Sequence, residues 1–395
     1  MGAANCEPRV ELAAIFAAHW GCFASAHRHL LTGAHYRAAE AVLSCRTAEL
    51  GGQVHHCGDC RRQTYVYHSC NHRACPKCGG RGQQEWAAAQ EAKLMRAAYF
   101  MLTFTLPAEL RTFAYRHQRW FYDLLFRAMA ATLADFAHDE KHLGGTPGFT
   151  AVLHTWTREM QHHPHLHVIM PGLALSTDGL RVRRAKGRRW LFPVKALGAA
   201  FRNRVRQLIE ARDQEEHTQH FASVDAKVWR KPWVIDARAV GRGKAAVRYL
   251  ARYVQKSAIS EPRLLGYDAA GRIRLNCQDS KSRRWHIVTL GVDEFLRRWC
   301  LHVLPKGLVR VRHYGWLSAA AKRKRERLHQ ILGTQAAPRP QPIPPPAPTC
   351  PCCGKPMTLL CVIRRPPRRW QPCPFPQRPA QAARTSRAPP ALATG

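Results

Sequence analysis

The amino-acid sequence predicts an α+β protein in which a small helical and metal-binding domain precedes a larger domain of strands and helices. Three observations indicate this class. Apolar residues recur at helical spacing in residues 10–50, and a long helix is predicted over 110–136. Two predicted strands, 149–157 and 163–170, are separated by a polar turn and can pair as a hairpin. Residues 51–82 replace this periodicity with glycines, cysteines and histidines, as expected where a metal holds the chain together.

These patterns divide the chain into three regions. We assign residues 1–95 to a helical and zinc-binding domain and residues 96–320 to a second, larger domain. Residues 321–395 are basic and proline-rich, a composition that buries too little apolar surface to fold. We therefore predict a disordered C-terminal tail that contains one minor cysteine cluster.

Shorter elements connect these features. A buried strand is predicted over residues 99–106, because the run YFMLTFTL is rich in aromatic and β-branched residues and ends at Pro107. The remaining predicted elements are a linking helix over 83–98, a helix over 199–217, a strand over 233–236 and a helix over 244–256 that follows Gly241 and Gly243.

The charge of the chain predicts a nucleic-acid partner. Lys and Arg number 62 against 26 Asp and Glu, which gives a formal net charge of +36 at pH 7. Such an excess repels itself unless a polyanion supplies counter-charge. Arginine clusters such as residues 181–189 bind phosphates by releasing counterions, without base specificity. Basic runs are also common as solvated faces, but here the excess is spread over every segment.

The sequence predicts a cytoplasmic protein that contacts no membrane. We find no run of about 18 apolar residues that would span a bilayer. Residues 1–10 lack the apolar stretch of a signal peptide. Because the cytosol keeps thiols reduced, the fifteen cysteines indicate metal binding and not a disulfide framework.

Two CxxC pairs predict a structural zinc site. Cys57 and Cys60 form the first pair, and Cys75 and Cys78 form the second after fourteen intervening residues. Four thiolates satisfy the tetrahedral preference of zinc and leave no open position. We therefore predict that these four cysteines bind one zinc ion.

Other cysteines and histidines stay open as metal ligands. Substitutes in the zinc site, or parts of a second site, are Cys45, His55, His56, His68, Cys70 and His72. Near the C-terminus, Cys350 and Cys353 form a further CxxC pair with Cys352 and Cys361 nearby, but no second pair in this region matches it.

The run HHPHLHVIMPG predicts a second metal site. His165 and His167 alternate on a predicted strand, so their side chains share one face. Two imidazoles on a rigid strand bind a divalent ion when a neighbouring element supplies a third polar ligand. The candidates for that ligand are His154, Gln161, His163 and Gln255.

The run KAAVRYLARYVQK predicts a helix with two tyrosines on one side. Tyr249 and Tyr253 are four residues apart, and Lys256 falls near the same face. Such a pair is often a packing stripe, but a tyrosine phenolate can also attack a phosphodiester and store its bond energy in a covalent intermediate. A metal ion would polarise the scissile phosphate, and a lysine would stabilise the developing charge.

Together these motifs resemble the rolling-circle transposases of the insertion-sequence ninety-one family, a two-tyrosine branch of the HUH endonucleases. The resemblance extends from about residue 10 to 320. It rests on the SCNHRACPKC run, the HPHLHVIMPG motif, the YLARYV helix and the LHVLPKGLVRVRHYGWL stretch.

The resemblance implies the HUH endonuclease fold, a mostly antiparallel sheet flanked by helices, with the two histidines on its central strand. It implies that His165 and His167 bind Mg²⁺ or Mn²⁺, and that Tyr249 and Tyr253 form 5′-phosphotyrosine links and free a 3′-hydroxyl. The implied substrate is single-stranded DNA at the ends of a bacterial element that moves by a rolling-circle route, in contact with the nucleoid. One-tyrosine members exist, so the use of both tyrosines and their order stay open.

Two other functions remain as alternatives. A rolling-circle replication initiator or a relaxase would use the same residues on an origin, although the N-terminal cysteine module favours a transposase. A non-catalytic zinc-containing DNA-binding regulator would instead bury both tyrosines in its core. A zinc hydrolase lacks support because no carboxylate is placed as in an HExxH motif.

Overall fold

The computed structural model describes residues 10–187, 191–255, 257–279, 282–335, 337–338, 341 and 347–366. The described residues up to Arg365 belong to one compact unit, and Pro366 belongs to a second. The α-helices are α1 (Leu12–Ala26), α2 (Gly33–Leu43), α3 (Gly80–Glu91), α4 (Leu110–Arg116), α5 (Gln118–His138), α6 (Val194–Glu216), α7 (Lys227–Arg230), α8 (Lys244–Gln255), α9 (Val292–Cys300) and α10 (Lys322–Ile331). Within these ranges, no helix has the length and apolar character that a bilayer crossing requires.

The strands form one large and two small sheets. They are β1 (Gly52–His56), β2 (Gln63–Tyr67), β3 (Tyr99–Thr105), β4 (Thr146–Trp156), β5 (His162–Pro171), β6 (Leu173–Leu175), β7 (Val182–Arg184), β8 (Ile235–Ala239), β9 (Leu264–Tyr267), β10 (Ile273–Gln278), β11 (Trp285–Leu290), β12 (Val311–Gly315) and β13 (Thr358–Ile363).

The large sheet is antiparallel throughout and confirms the predicted α+β class. Its strands lie in the order β7-β6-β4-β5-β3-β8, and β12 pairs with β4. The predicted hairpin is present as β4 and β5, and the predicted strand over residues 99–106 is present as β3. β5 therefore lies between β4 and β3, near the middle of the sheet.

Side-chain alternation gives the two faces of this sheet different roles. On β5, Leu166 and Val168 join the main hydrophobic core together with α5 and α6. Because neighbouring side chains on a strand point to opposite faces, His165, His167 and Ile169 lie on the other face. There Ile169 packs into a smaller apolar cluster with buried residues of α8. One face of β5 is thus structural, and the other carries the polar residues toward α8.

The N-terminal helices are not held by a core of their own. Leu12 and Phe16 of α1 lie in one buried cluster with Leu275 of β10 and with Phe295 and Trp299 of α9. The rings of Phe16 and Trp299 meet edge to face at 4.7 Å. The sequence pattern predicted a helical segment here, and the structure shows that it packs on elements about 250 residues further along the chain.

Two segments of the predicted C-terminal tail are folded. Leu328 of α10 is fully buried beside Trp316 and Leu173. β13 pairs antiparallel with β1 in a three-stranded sheet of order β13-β1-β2, and the other small sheet has the order β11-β10-β9. The prediction of a disordered tail is therefore wrong for these segments, because distant partners supply the contacts that the local composition lacks. Residues 367–395 lie outside the described residues.

Candidate functional site

Three histidines meet on the α8 side of the large sheet. The register of β4 against β5 sets His154 opposite His165. His154 Nδ1 lies 2.9 Å from His165 Nε2, and His165 Nε2 lies 3.1 Å from His167 Nε2. All three side chains are buried. Sheet pairing therefore brings three ring nitrogens to one point.

The surroundings of the histidines favour metal binding. His165 Nδ1 lies 2.7 Å from the carbonyl oxygen of His163, which can only accept a hydrogen bond. The proton of His165 is therefore on Nδ1, and Nε2 presents its lone pair to the other two rings. On the far side, Thr103 Oγ1 lies 3.1 Å from His167 Nδ1 and fixes that ring.

Burial keeps these imidazoles neutral. It lowers the pKa of His167 to about 4 and holds the pKa values of His154 and His165 well below their usual range, with further lowering by the neighbouring rings. Neutral imidazole is the form that binds a metal. Ligands about 2.1 Å from one ion and at right angles to each other lie about 3.0 Å apart, which the measured spacings match. The donor set fits a divalent ion.

The structure brings His154, and not the other candidates, to the histidine pair. Nδ1 of His163 instead accepts a hydrogen bond of 2.9 Å from the Arg111 guanidinium. Gln161 is exposed on the rim of the same cleft, outside the histidine cluster. The side chain of Gln255 lies outside the described residues.

Helix α8 places Tyr249 beside the histidines. It begins after Gly243, whose φ of +85° and close approach to the Tyr99 ring leave no room for a Cβ atom. Val247 and Leu250 are buried under the sheet, which turns Tyr249 toward the cleft. The ring centroids of Tyr249 and His167 are 6.2 Å apart. Tyr253 follows one turn later on the same helix.

The rest of the predicted catalytic set is only partly described. The backbone of Tyr253 belongs to α8, but its side chain lies outside the described residues. Lys256 lies outside them altogether. Helix α8 is further tied to α3 by Glu91, which accepts from Arg248 at 2.7 Å and pairs with Lys244 at 3.7 Å. Helix α8 therefore packs against α3, which belongs to the region 1–95 that contains the predicted zinc-binding domain; we call this region the N-terminal module.

The histidines and Tyr249 line one basic cleft of about 730 Å³. One of its walls includes the hairpin of β10 and β11, where Trp285 is 62% exposed. The turn end of this hairpin is fixed by Arg158, which donates to Gln278, and by Arg263, which donates to the carbonyl of Asn276 at 3.0 Å. Arginines that line the cleft are Arg158, Arg238, Arg252, Arg263 and Arg283, against the carboxylates of Glu159 and Asp279. A nucleic-acid strand is the ligand that such a lining fits.

Sequence reasoning missed the hairpin wall. Its signal was the run Arg283, Arg284, Trp285, His286, in which basic and aromatic residues adjoin. That pattern is typical of surfaces that bind nucleic-acid strands by charge and stacking. It lies more than a hundred residues from the histidine motif, so only the fold joins the two.

The structure divides the four cysteines predicted to share one zinc ion between two clusters. Cys57 and Cys60 lie at the tip of the β1–β2 hairpin, where Cys57 N–H donates to the carbonyl of Arg62 at 2.9 Å. β2 leads away from this tip, and Cys75 and Cys78 come after the end of β2 that is distant from the tip. Because β2 has five residues at about 3.3 Å each, the two ends are roughly 16 Å apart. The sulfur atoms of the two pairs belong to different groups, so the predicted grouping around one ion is corrected.

Each pair instead meets other cysteines. The first cluster is Cys45, Cys70, Cys75 and Cys78, and the second cluster is Cys57, Cys60, Cys350 and Cys353; within each, the four sulfur atoms lie within 4.8 Å of one another. The histidines considered as substitutes, His55, His56, His68 and His72, belong to neither cluster. Four thiolates in a closed group match a structural zinc site.

Loss of the first cluster is expected to loosen the N-terminal core. Cys45 and Cys75 are buried in the same apolar cluster as α1 and α9. Replacing Cys75 and Cys78 by serine should therefore remove one zinc ion and lower the midpoint of thermal unfolding by at least about 5 °C, the size expected for a loss of a few kcal/mol. Cys22→Ser, at an exposed thiol of α1, is the matched control and should change neither value. An unchanged melting curve for the double variant would contradict a structural role.

Comparison with known proteins relates the chain to transposases. The family model described as "Transposase zinc-binding domain" matches residues 15–106, and the one described as "Putative transposase" matches residues 148–325. The chain is 36% identical over 321 residues to "Putative transposase y4qJ" of Sinorhizobium fredii, which covers 78% of this chain and 80% of that protein. It is 28% identical over 288 residues to "Transposase for insertion sequence element IS801" of Pseudomonas savastanoi pv. phaseolicola, which covers 70% and 68%. No solved structure matches the chain.

The two matched regions contain the two kinds of site. Residues 15–106 include the whole first cysteine cluster, and residues 148–325 include the three histidines and Tyr249. Zinc is therefore the structural ion of the N-terminal module, and DNA is the substrate class. The chain belongs to the insertion-sequence ninety-one family of transposases with an N-terminal zinc-binding domain.

Proposed function

We propose that the protein cleaves and rejoins single-stranded DNA at the ends of its element, as an HUH-class transposase that moves by a rolling-circle route. One observation carries the proposal: Tyr249 and the three histidines line the same basic cleft. A phosphate held beside the histidines would lie near the tyrosine hydroxyl. The arrangement of the HxH strand between two antiparallel neighbours, with the tyrosine helix on one face, supports an HUH-type domain.

In the proposed reaction the Tyr249 hydroxyl attacks the scissile phosphate. A bond forms between the phenol oxygen and phosphorus, and the bond from phosphorus to the 3′-oxygen breaks. The phenol loses its proton and the leaving 3′-oxygen gains one, so the products are a 5′-phosphotyrosine link and a free 3′-hydroxyl. A 3′-hydroxyl of another strand reverses the step and joins the ends. Tyr253 would provide a second link while the first persists.

The remaining residues bind and orient the strand. His154, His165 and His167 would hold a divalent ion, which when bound polarises the phosphate and stabilises its charge. Since Mg²⁺ takes mainly oxygen ligands, a set of three nitrogens is expected to bind Mn²⁺ more tightly. Arg252 and Arg283 are exposed on the cleft and are placed to contact backbone phosphates. Lys256 is proposed to stabilise the developing charge.

A covalent-adduct assay tests the proposal. The protein is incubated with labelled single-stranded oligonucleotides that carry an element end, with Mn²⁺ or Mg²⁺, and resolved on a denaturing gel. We expect a labelled band at the mass of the protein plus DNA, together with a shorter product that ends in a 3′-hydroxyl. Scrambled ends and duplex DNA serve as controls. Cleavage without any protein-linked DNA would contradict the tyrosine chemistry.

The hairpin wall predicts how the strand is held. Trp285 is exposed at the cleft, and base stacking on an aromatic side chain contributes about 1–3 kcal/mol. Trp285→Ala should weaken binding of single-stranded DNA by roughly 5- to 150-fold in fluorescence anisotropy. Trp285→Phe keeps a ring and should bind nearly as well as the wild type. Equal affinity of the alanine variant and the wild type would show that the hairpin does not contact the strand.

A further inference from the structure

The second cysteine cluster joins the two ends of the chain. Cys57 and Cys60 come from the N-terminal module, and Cys350 and Cys353 come from the region near the C-terminus. The sulfur atoms of Cys57 and Cys353 are 3.6 Å apart although 296 residues separate them in sequence. The matched families cover residues 15–106 and 148–325. Neither therefore includes the second half of this cluster.

Both halves of the cluster adopt the same local form. At the first, Cys57 N–H donates to the carbonyl of Arg62, and Cys60 N–H points to Cys57 Sγ at 3.5 Å. At the second, Cys350 N–H donates to the carbonyl of Lys355 at 2.8 Å, and Gly354 N–H donates to the carbonyl of Cys350 at 2.8 Å.

Two further features complete the second turn. Backbone N–H groups of Cys352 and Cys353 point to Cys350 Sγ, as Cys60 N–H points to Cys57 Sγ in the first turn. Gly354 adopts a φ of +70°, which a residue with a side chain rarely takes and which closes the turn. Each CxxC pair is thus a tight turn that holds its two sulfur atoms toward the other pair.

Apolar contacts are too few to hold this part of the chain. The side chains of β13 are almost all exposed, among them Leu359 and Val362 at 52% and 57%. Around the four cysteines the apolar contacts are limited to buried Cys57, Cys350 and Met357, against which Cys60 packs. A sheet with so little buried surface requires another source of stability, which in small modules is a metal or a disulfide.

We propose that Cys57, Cys60, Cys350 and Cys353 bind a second structural zinc ion, separate from that of the first cluster. Four thiolates from two tight turns form the closed tetrahedral set that zinc takes. The ion would clasp residues 349–363 onto the N-terminal module and so hold β13 against β1. An ion pair of 2.7 Å between Lys355 and Asp59 joins the same two turns.

Zinc counting on the full-length protein tests the clasp. Zinc per chain is measured by mass spectrometry of the metal in reducing buffer, for the wild type and for Cys350→Ser/Cys353→Ser. We expect the double variant to contain one zinc equivalent per chain less than the wild type; any ion on the histidines is common to both and cancels. Cys361→Ser is the matched control, since Cys361 is an exposed thiol of β13 outside the cluster, and should lose none.

A conservative variant separates zinc loss from misfolding. Cys353→His leaves three thiolates and an imidazole, a set that also binds zinc tetrahedrally, and should keep the full zinc content. If the serine double variant loses two zinc equivalents, that loss reflects general unfolding, and Cys353→His then tests the second zinc site. A histidine variant with the full zinc content supports the clasp, and a histidine variant with less zinc than the wild type overturns it. An unchanged zinc content of the serine variant also overturns the proposal.

Limited proteolysis provides an independent readout. Chymotrypsin cleavage after Leu359 should be slow in the wild type and at least about tenfold faster in Cys350→Ser/Cys353→Ser, because opening of the clasp releases β13 from its pairing with β1 and lets it unfold locally. Equal cleavage rates would contradict the clasp. A disulfide between Cys57 and Cys353 in the unreduced protein, with no zinc lost on mutation, would assign the cluster to redox chemistry and overturn the zinc site.

Discussion

Replacing Tyr249 and Tyr253 together by phenylalanine is expected to abolish covalent attachment to DNA. Phenylalanine keeps the aromatic ring but removes the hydroxyl that attacks phosphorus. We expect adduct formation and cleavage to fall by at least about 1,000-fold, the size of effect seen when a nucleophile is removed. The measurement is the rate of adduct formation on a labelled single-stranded element end.

The control for this prediction is a tyrosine outside the cleft. Tyr267→Phe changes a residue of β9 that does not line the cleft and should retain the wild-type rate. Single variants at Tyr249 and Tyr253 then show which hydroxyl makes the first cut. Full activity of the double variant would remove tyrosine chemistry from the account and favour a DNA-binding regulator.

Replacing His165 and His167 together by alanine is expected to have an effect of similar size. Two of three neutral imidazoles are lost, so the divalent ion has too few ligands and the phosphate loses its charge stabilisation. Cleavage should fall by at least about 1,000-fold, whereas binding of single-stranded DNA should change little because the arginines of the cleft remain. Rates and anisotropy on the same oligonucleotide separate the two effects.

A third histidine of β5 is the control for the histidine variant. His163 lies beside the metal pair, but its side chain bonds to Arg111 and only its carbonyl contacts His165. His163→Ala keeps that carbonyl and should retain most activity. Removal of metal by a chelator should stop the wild type, and added Mn²⁺ should restore it. Chelator-resistant cleavage would contradict the role given to the histidines.

Local patterns in the sequence predicted the elements that carry the chemistry. The HxH spacing places His165 and His167 on one face of a strand, and the four-residue spacing of the tyrosines places them on one side of a helix. His154 was one of four candidates, because its place depends on the register between β4 and β5. A slip of one residue would turn its side chain to the opposite face. Register is a property of the whole sheet, which the local pattern does not determine.

Long-range contacts explain what the sequence could not predict. The spacing of two CxxC pairs suggested one zinc site, but β2 carries the second pair away from the first and brings it to Cys45 and Cys70. The partners of Cys57 and Cys60 lie near the other end of the chain, in a region whose composition predicted disorder. The hairpin with Trp285 belongs to a separate sheet of β9, β10 and β11, which only the fold brings to the cleft. None of these pairings has a local signature.

Sulfur substitution at the scissile phosphate tests most directly whether the ion and Tyr249 act on the same group. A non-bridging oxygen of that phosphate is replaced by sulfur, and cleavage is measured in Mg²⁺ and in Mn²⁺. Because sulfur is a softer ligand than oxygen, direct contact predicts strong inhibition in Mg²⁺ and rescue in Mn²⁺ for one stereoisomer, with the adduct still on the tyrosine helix. Equal cleavage of both stereoisomers in both metals would place the ion away from the reacting phosphate and contradict the account.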